Sequence, residues 1–230
     1  MKIKGLSWLV NLFYPRTCIC CETHLLDQEE LICLTCRFDL PMVDNLDYRS
    51  NSITKIFQGR IPIEKGASFL FYHESGKTKK IIHHLKYKGR QEIGSIIGYW
   101  FGKSLVESNE FKDINYIIPV PLHRSKLRRR GYNQLTTFGK ELSELLSIPF
   151  NENILQRKTF TKTQTRKKRL DRFQNTEARF IVEDRKKLNG KNILLIDDVI
   201  TTGATLESCC KELLKSNDIK ISILTIGITE

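Results

Sequence analysis

Two adjacent carboxylates followed by hydroxyl and small side chains form the densest chemistry in this chain. They lie in Lys191–Thr205, KNILLIDDVITTGAT, where Asp197 and Asp198 precede Thr201, Thr202, Gly203, Ala204 and Thr205. The four apolar residues Ile193–Ile196 ahead of the acids read as a buried strand with the acids at its carboxyl end. Beyond the loop, Leu206, Cys209, Cys210, Leu213 and Leu214 repeat at helical spacing. A turn into a helix leaves backbone N–H groups unpaired, and the helix dipole favours an anion at that end. Gly203 and Ala204 allow close backbone approach, and the threonine hydroxyls can donate to phosphate oxygens. The carboxylates would repel a phosphate but accept hydrogen bonds from sugar hydroxyls, so a sugar phosphate satisfies both halves. The plainer alternative is a strand–turn–helix whose Asp pair caps the helix. The stretch lacks the Gly-Lys-Ser/Thr ending of a P-loop and the GxGxxG of a dinucleotide fingerprint, which excludes both.

A second constellation lies near the other end. Cys18 and Cys21 form one C-x-x-C pair, and Cys33 and Cys36 form another. Four thiolates in two such knuckles suit a tetrahedral structural zinc site with every ligand supplied by protein, a site that holds a fold together and does no chemistry. Disulfides and reduced core cysteines compete with this reading. Disulfides are disfavoured because no export-type segment is evident. Cys20 and His24 stand close enough in sequence to replace one of the four ligands.

The nonamer DDVITTGAT resembles the phosphoribosyl pyrophosphate (PRPP) motif of type I phosphoribosyltransferases. The resemblance implies that Asp197 and Asp198 hold the ribose 2′- and 3′-hydroxyls while Thr201–Thr205 cradle the 5′-phosphate. Combined with an amino-terminal four-cysteine knuckle, the motif resembles the ComF family. Leu85–Arg90, LKYKGR, is similar to that family's LKYxGR segment. Pro119-Val120-Pro121-Leu122 with Arg130-Gly131-Tyr132-Asn133-Gln134 is similar to its PVPL and RGFNQ blocks, with Tyr132 in the usual Phe place. Gln164, Arg172 and Asn175 fit a further Q…R…N stretch. The resemblance implies a role in competence or in the use of external DNA, with PRPP and Mg²⁺ as ligands. Single-stranded DNA and the DNA-uptake machinery are the implied partners. A working phosphoribosyltransferase with an unidentified acceptor, of the amidophosphoribosyltransferase or nucleotide-salvage kind and without a DNA role, is the alternative. No general base and no base-recognition hood stand out.

Charge is unevenly spread. The chain carries 38 basic and 26 acidic residues, a formal net charge of +12. Arg124, Lys126, Arg128, Arg129 and Arg130 crowd what reads as a loop after the Pro119 strand. Lys158, Lys162, Arg166, Lys167, Lys168, Arg169 and Arg172 form a second basic region. Such runs are ordinarily solvated surface. Two functional readings stand beside that one. Lys86, Arg124 and Arg130 are candidates for meeting pyrophosphate, and the Arg128–Arg130 cluster is a candidate for a nucleic-acid backbone. Tyr132, Phe160 and Phe173 are the nearby aromatics able to stack bases.

These groups need a scaffold, and 230 residues suffice for one α/β domain plus a small stapled module. Strands are expected at 67–72, 116–120, 193–196 and 219–226, and helices at 77–87, 92–106 and 134–146. That alternation predicts a phosphoribosyltransferase-like parallel sheet flanked by helices, preceded by the zinc module. Residues 1–60 are assigned to an amino-terminal helix and the four-Cys module, and residues 61–230 to the α/β domain. Leu6, Trp8, Leu9, Leu12 and Phe13 give an amphipathic stretch, expected to pack on the zinc module rather than to lie on a membrane surface. No apolar run approaches a bilayer-crossing length, and a cytoplasmic protein is expected.

Overall fold

A computed structural model describes residues 15–158 and 180–229. The apolar stretch within residues 2–13 lies outside the described residues, as do Phe160, Phe173, Gln164, Asn175 and the basic positions from Lys162 to Arg172. The first half of the chain forms α1 (Leu34–Phe38), α2 (Ser52–Phe57), β1 (Lys65–Tyr72), α3 (Lys77–Tyr87), α4 (Glu92–Ser108) and β2 (Tyr116–Pro119). It continues with α5 (Arg124–Arg130), α6 (Thr136–Leu146), β3 (Leu155–Arg157), β4 (Phe180–Val182), β5 (Asn192–Ile200), α7 (Ala204–Leu213) and β6 (Lys220–Thr229). No helix among the described residues is long and apolar enough to cross a membrane.

The main sheet is four-stranded and parallel, in the order β1-β6-β5-β2. Ile193–Ile196 in β5 are fully buried, as suits a central parallel strand covered on both faces. β3 and β4 form a separate antiparallel pair. Ile81, Ile82 and Leu85 turn one face of α3 into the core, and Ile93, Ile97, Phe101 and Leu105 do the same for α4. The type I phosphoribosyltransferase-like α/β fold expected from the motifs is the one observed.

Two sequence expectations need correcting. The basic run expected as a loop is α5. It contains no Gly or Pro, its Arg, Lys and Leu are good helix formers, and His123 caps it by accepting the Ser125 N–H at 3.2 Å. Gly131, at φ 79°, ends it. The strand expected to stop at Ile196 runs on to Ile200, because β6 stays paired with it as far as Ile200↔Ile228. Neighbouring β2 ends sooner, at Pro119↔Ile196. The two Asp therefore sit inside β5, at the point where it loses one neighbour.

The amino-terminal segment is tied to this sheet. After the cysteines the chain runs along the edge of β1, with the Val43 N–H donating to Phe69 O at 3.0 Å and the Phe71 N–H donating to Pro41 O at 2.7 Å. Asn51 then caps α2 and donates from Nδ2 to Gly66 O at 2.7 Å. The Arg37 guanidinium stacks 4.5 Å from the Trp100 ring centroid on α4, and Lys80 Nζ on α3 donates to Cys20 O at 2.5 Å.

Close packing of α4 on α6 fixes the side of the sheet nearest β2. A Cβ on Gly98 would stand 3.0 Å from Phe138 O and 2.8 Å from Glu141 Cβ, so the helices meet almost backbone to backbone. Thr137 Oγ1 donates to Gln91 O at 2.7 Å, which ties the start of α6 to the start of α4 and so to the end of α3. Replacing Gly98 by Val should therefore cost about 1–3 kcal/mol from overpacking, read as a lower urea midpoint. An unchanged midpoint would show that the two helices can separate freely.

Candidate functional site

Successive residues of a strand face opposite ways, and this alternation splits the Asp pair. Asp197 lines a cavity of about 70 Å³ together with Thr201, Thr202, Gly203, Ala204 and Thr205. That volume is on the scale of a phosphate group rather than a whole nucleotide. Asp198 is not among the lining residues and points to the helices beyond.

The cradle is a short loop into the amino terminus of α7. Gly203 precedes the helix with φ 74°, a left-handed conformation that L side chains adopt only with strain. Space excludes a side chain there as well: a Cβ would lie 2.8 Å from Ile56 Cγ2 and 2.9 Å from Phe57 Cε1 on α2. Arg60 closes the brace, donating from Nη1 to Thr202 O at 3.1 Å and to Ile56 O at 3.0 Å while its Nη2 pairs with Glu207 on α7. Ile56, Phe57 and Arg60 were not singled out from sequence. Arg60 meets a carbonyl 142 positions away, a pairing no local pattern announces.

Asp198 is 5% exposed and accepts two hydrogen bonds. Lys86 Nζ, from the end of α3, donates to Oδ1 at 2.6 Å, and Gln134 Nε2 donates to Oδ2. Gln134 Oε1 in turn accepts from Arg130 Nη1 at 2.5 Å, and Arg130 lies 5.0 Å from the Tyr87 ring centroid. Tyr132 Oη donates to Leu85 O. The LKYKGR and RGYNQ blocks thus converge on one carboxylate. Gln134 was legible as part of a motif, but its contact with Asp198 was not. The turn at Asn133–Leu135 places it, delaying α6 to Thr136 rather than the expected 134, with Asn133 Oδ1 accepting the Leu135 N–H at 3.1 Å.

Asp197 keeps some exposure through the cavity but is otherwise enclosed. Burial first, then the Asp198 charge, pushes its carboxyl up to about 8. The Asp198 N–H, which donates to Asp197 Oδ1 at 2.8 Å, and Lys86 act in the opposite direction.

The other basic candidates divide. Lys86 and Arg130 are joined to Asp198 directly and through Gln134, whereas Arg124, Arg128 and Arg129 are exposed on α5. Lys158 is exposed at the far end of β3.

The cysteines gather as their spacing suggested. The Sγ atoms of Cys18, Cys21, Cys33 and Cys36 all lie within 4.8 Å of one another, a group that could bind a metal ion. The N–H groups of Cys20 and Cys33 donate to Cys18 Sγ, and that of Cys36 donates to Cys33 Sγ, each at 3.4 Å. Neither Cys20 nor His24 belongs to the group. Cys20 is buried, which pushes its thiol up to about 12, and His24 is exposed.

Comparison with known proteins bears on this arrangement. The phosphoribosyl transferase domain family matches residues 136–228, from the start of α6 nearly to the end of β6. Competence protein F of Haemophilus influenzae is 41% identical over 100 residues, covering 43% of this chain and 44% of that protein. Competence protein ComFC of Bacillus subtilis is 26% identical over 206 residues, covering 83% of this chain and 81% of that protein. The chain is thus similar to competence proteins of the ComF kind, over 83% of its length in the Bacillus subtilis case. DNA utilization protein YhgH of Escherichia coli strain K12 is 26% identical over 62% of this chain and 63% of its own length. Of Competence protein F and YhgH, then, the chain spans less than two thirds. Among solved structures, a purine phosphoribosyltransferase from Pyrococcus horikoshii aligns with TM-score 0.38 and 20% identity, over 59% of this chain and 73% of that one.

The raised carboxyl of Asp197 gives this site a measurable pH signature. A carboxyl whose folded pKa is raised from 3.8 to about 8 keeps a proton that the unfolded chain has released. Stability is therefore lost as pH rises between those values. Asp197→Asn should raise the melting temperature, and the gain should be larger at about pH 8.5 than at about pH 5. An equal gain at both pH values, or a loss at the higher one, would contradict the enclosed carboxyl.

Proposed function

We propose that the chain binds PRPP with Mg²⁺ and acts, in the cytoplasm, in DNA uptake or the use of external DNA, with single-stranded DNA among its partners. One observation carries the ligand: Asp197 and Thr201–Thr205 line one cavity at a helix amino terminus. In this reading the α7 amino terminus and the threonine hydroxyls take the 5′-phosphate. The two carboxylates accept from the ribose hydroxyls. Lys86 offsets the negative charge of Asp198 and so lessens its repulsion of the incoming anion. Mg²⁺ accompanying the ligand would supply charge neutralisation on its pyrophosphate. Lys86, Arg124 and Arg130 are the protein cations proposed to assist there. Arg128 and Arg129 are proposed for nucleic acid. The DNA role draws on the names of the relatives, competence proteins and a DNA utilization protein, together with the net charge of +12.

Cys18, Cys21, Cys33 and Cys36 are proposed to hold a structural Zn²⁺. Their spread of at most 4.8 Å brackets the ~3.8 Å sulfur–sulfur separation that a tetrahedron of ~2.3 Å Zn–S bonds requires. The backbone N–H donors on Cys18 and Cys33 suit thiolate sulfurs. Residues 1–60 then act as the zinc-bearing unit and residues 61–230 as the ligand-binding domain.

Two measurements test these assignments. Titration calorimetry with Mg²⁺ and PRPP should detect binding that Asp197→Asn with Asp198→Asn weakens at least about tenfold, the loss expected for hydrogen bonds to charged groups. Unchanged affinity in the folded double variant would rule out the PRPP pocket. Metal analysis of protein purified without chelator should find about one zinc per chain, lost together with several degrees of melting temperature in Cys33→Ser with Cys36→Ser. Protein that folds equally well without zinc would rule out the structural metal.

A further inference from the structure

The surface beside the Asp198 network carries an aromatic side chain that the core does not use. On α3, Ile81, Ile82 and Leu85 face inward, while His83 and Tyr87, four residues apart, share the outer face. Tyr87 is 57% exposed, and the His83 ring lies 5.3 Å from its ring with the planes inclined at 47°. The Arg130 guanidinium lies 5.0 Å from the Tyr87 centroid and is held by Gln134, so ring and cation form a fixed pair.

Arg130 is the last residue of α5, and that helix is built for its surface. None of its residues is buried, five of the seven are Arg or Lys, and none is acidic. Its carboxyl end is pinned, because Gly131 turns the chain and Tyr132 Oη donates to Leu85 O on α3. Lys88 is exposed just past Tyr87. A ring thus stands between two cationic segments, and the next residue back along α3, Lys86, holds Asp198.

We infer that Tyr87, backed by Arg130 and flanked by His83, is a stacking platform for an unpaired base of single-stranded nucleic acid. Arg128, Arg129 and Lys88 take the neighbouring phosphates. The inference rests on the DNA reading above and gives it a location. Exposed cations alone would hold any polyanion, but the exposed ring selects for unpaired bases. Bases in a duplex are already stacked and present no free face, whereas a single strand offers one at every nucleotide. The ring, moreover, is held next to the Asp198 network through Arg130 and Gln134.

The test uses the full chain and fluorescence anisotropy with labelled oligo-dT, a duplex of equal length and vesicles containing anionic lipid. Tyr87→Ala should weaken oligo-dT binding about 5- to 150-fold, the loss that one stacked base represents. It should leave duplex binding within about twofold and the salt slope unchanged. Tyr87→Phe and Tyr87→Trp should bind like wild type, and His83→Ala should show a smaller loss. Arg128→Gln with Arg129→Gln should weaken single strand and duplex alike and flatten the salt dependence. Tyr87→Ala that binds oligo-dT like wild type, while the double Arg variant does not, would overturn the platform and leave a general polyanion surface. Tighter binding to the vesicles than to oligo-dT would overturn it in favour of a lipid face. Wild-type protein that ignores oligo-dT altogether would instead overturn the DNA reading itself. Circular dichroism and PRPP titration of each variant separate these outcomes from loss of the fold.

Discussion

A buried negative charge inside β5, where that strand loses its β2 neighbour, is the constraint around which the rest of this structure is arranged. An ionised carboxylate removed from water without partners is prohibitively costly, and Asp198 is nearly sealed from solvent. One cation and one amide donor meet that demand, and they come from elements distant in sequence. Lys86 stands 112 positions away and Gln134 stands 64. For both to arrive, α3 must end beside the turn that opens α6. The tight approach of α4 to α6 and the Thr137–Gln91 bond enforce that placement. The adjacent acid has the opposite circumstance. Strand geometry turns Asp197 to the cradle side, where burial raises its affinity for a proton. One carboxyl is paired within the protein and the other faces the cavity, a division that follows from the two-residue period of a β-strand.

The cradle depends on the amino-terminal region as much as on its own helix. Gly203 adopts a conformation that needs glycine and also lies where a methyl group would strike α2. Arg60 then bonds a carbonyl of the cradle loop to a carbonyl of α2, so loop and helix behave as one body. α2 in turn follows the segment that hydrogen-bonds along β1, and that segment follows the four-cysteine group. A short stretch with two small helices has little apolar surface of its own, and a metal at the four cysteines, as proposed, would help to fix it. Order at the cysteines is thereby connected, through backbone pairing and side-chain packing, to the shape of the phosphate loop.

What could be read from the sequence follows the range of the interactions involved. Helical periodicity located α3 at its observed bounds and α4 to within two residues, because the pattern of buried residues is local. The cysteine group was legible because ligand spacing is itself a local signal. The course of β5 past Ile196 was not, since its pairing with β6 beyond the end of β2 is a tertiary fact. The basic run was misread as a loop because charge was weighed above helix propensity and the His123 and Gly131 caps were overlooked. Gln134 and Arg60 mark the limit of such reading: each acts through a single long-range hydrogen-bond partner, and residue type gives no hint of it.

The distribution of positive charge would separate the two kinds of anion recognition proposed for this molecule. The cradle itself is lined by the Asp197 carboxyl and by hydroxyl, apolar and backbone groups with no Lys or Arg among them, so in the proposed reading a phosphate there would be held by oriented N–H groups and the α7 dipole. Such a site is short-ranged and demands a close geometric fit. The cations of α5 are outside the cradle and exposed, where their field reaches across roughly a Debye length of ~8 Å and acts on any approaching polyanion. Capture at the rim can therefore be fast, strongly salt-dependent and indifferent to the identity of the anion. Selection in the cradle is slower to satisfy and depends on shape. Arg130 ends the exposed helix while bonding the amide that holds Asp198, the acid turned away from the cradle.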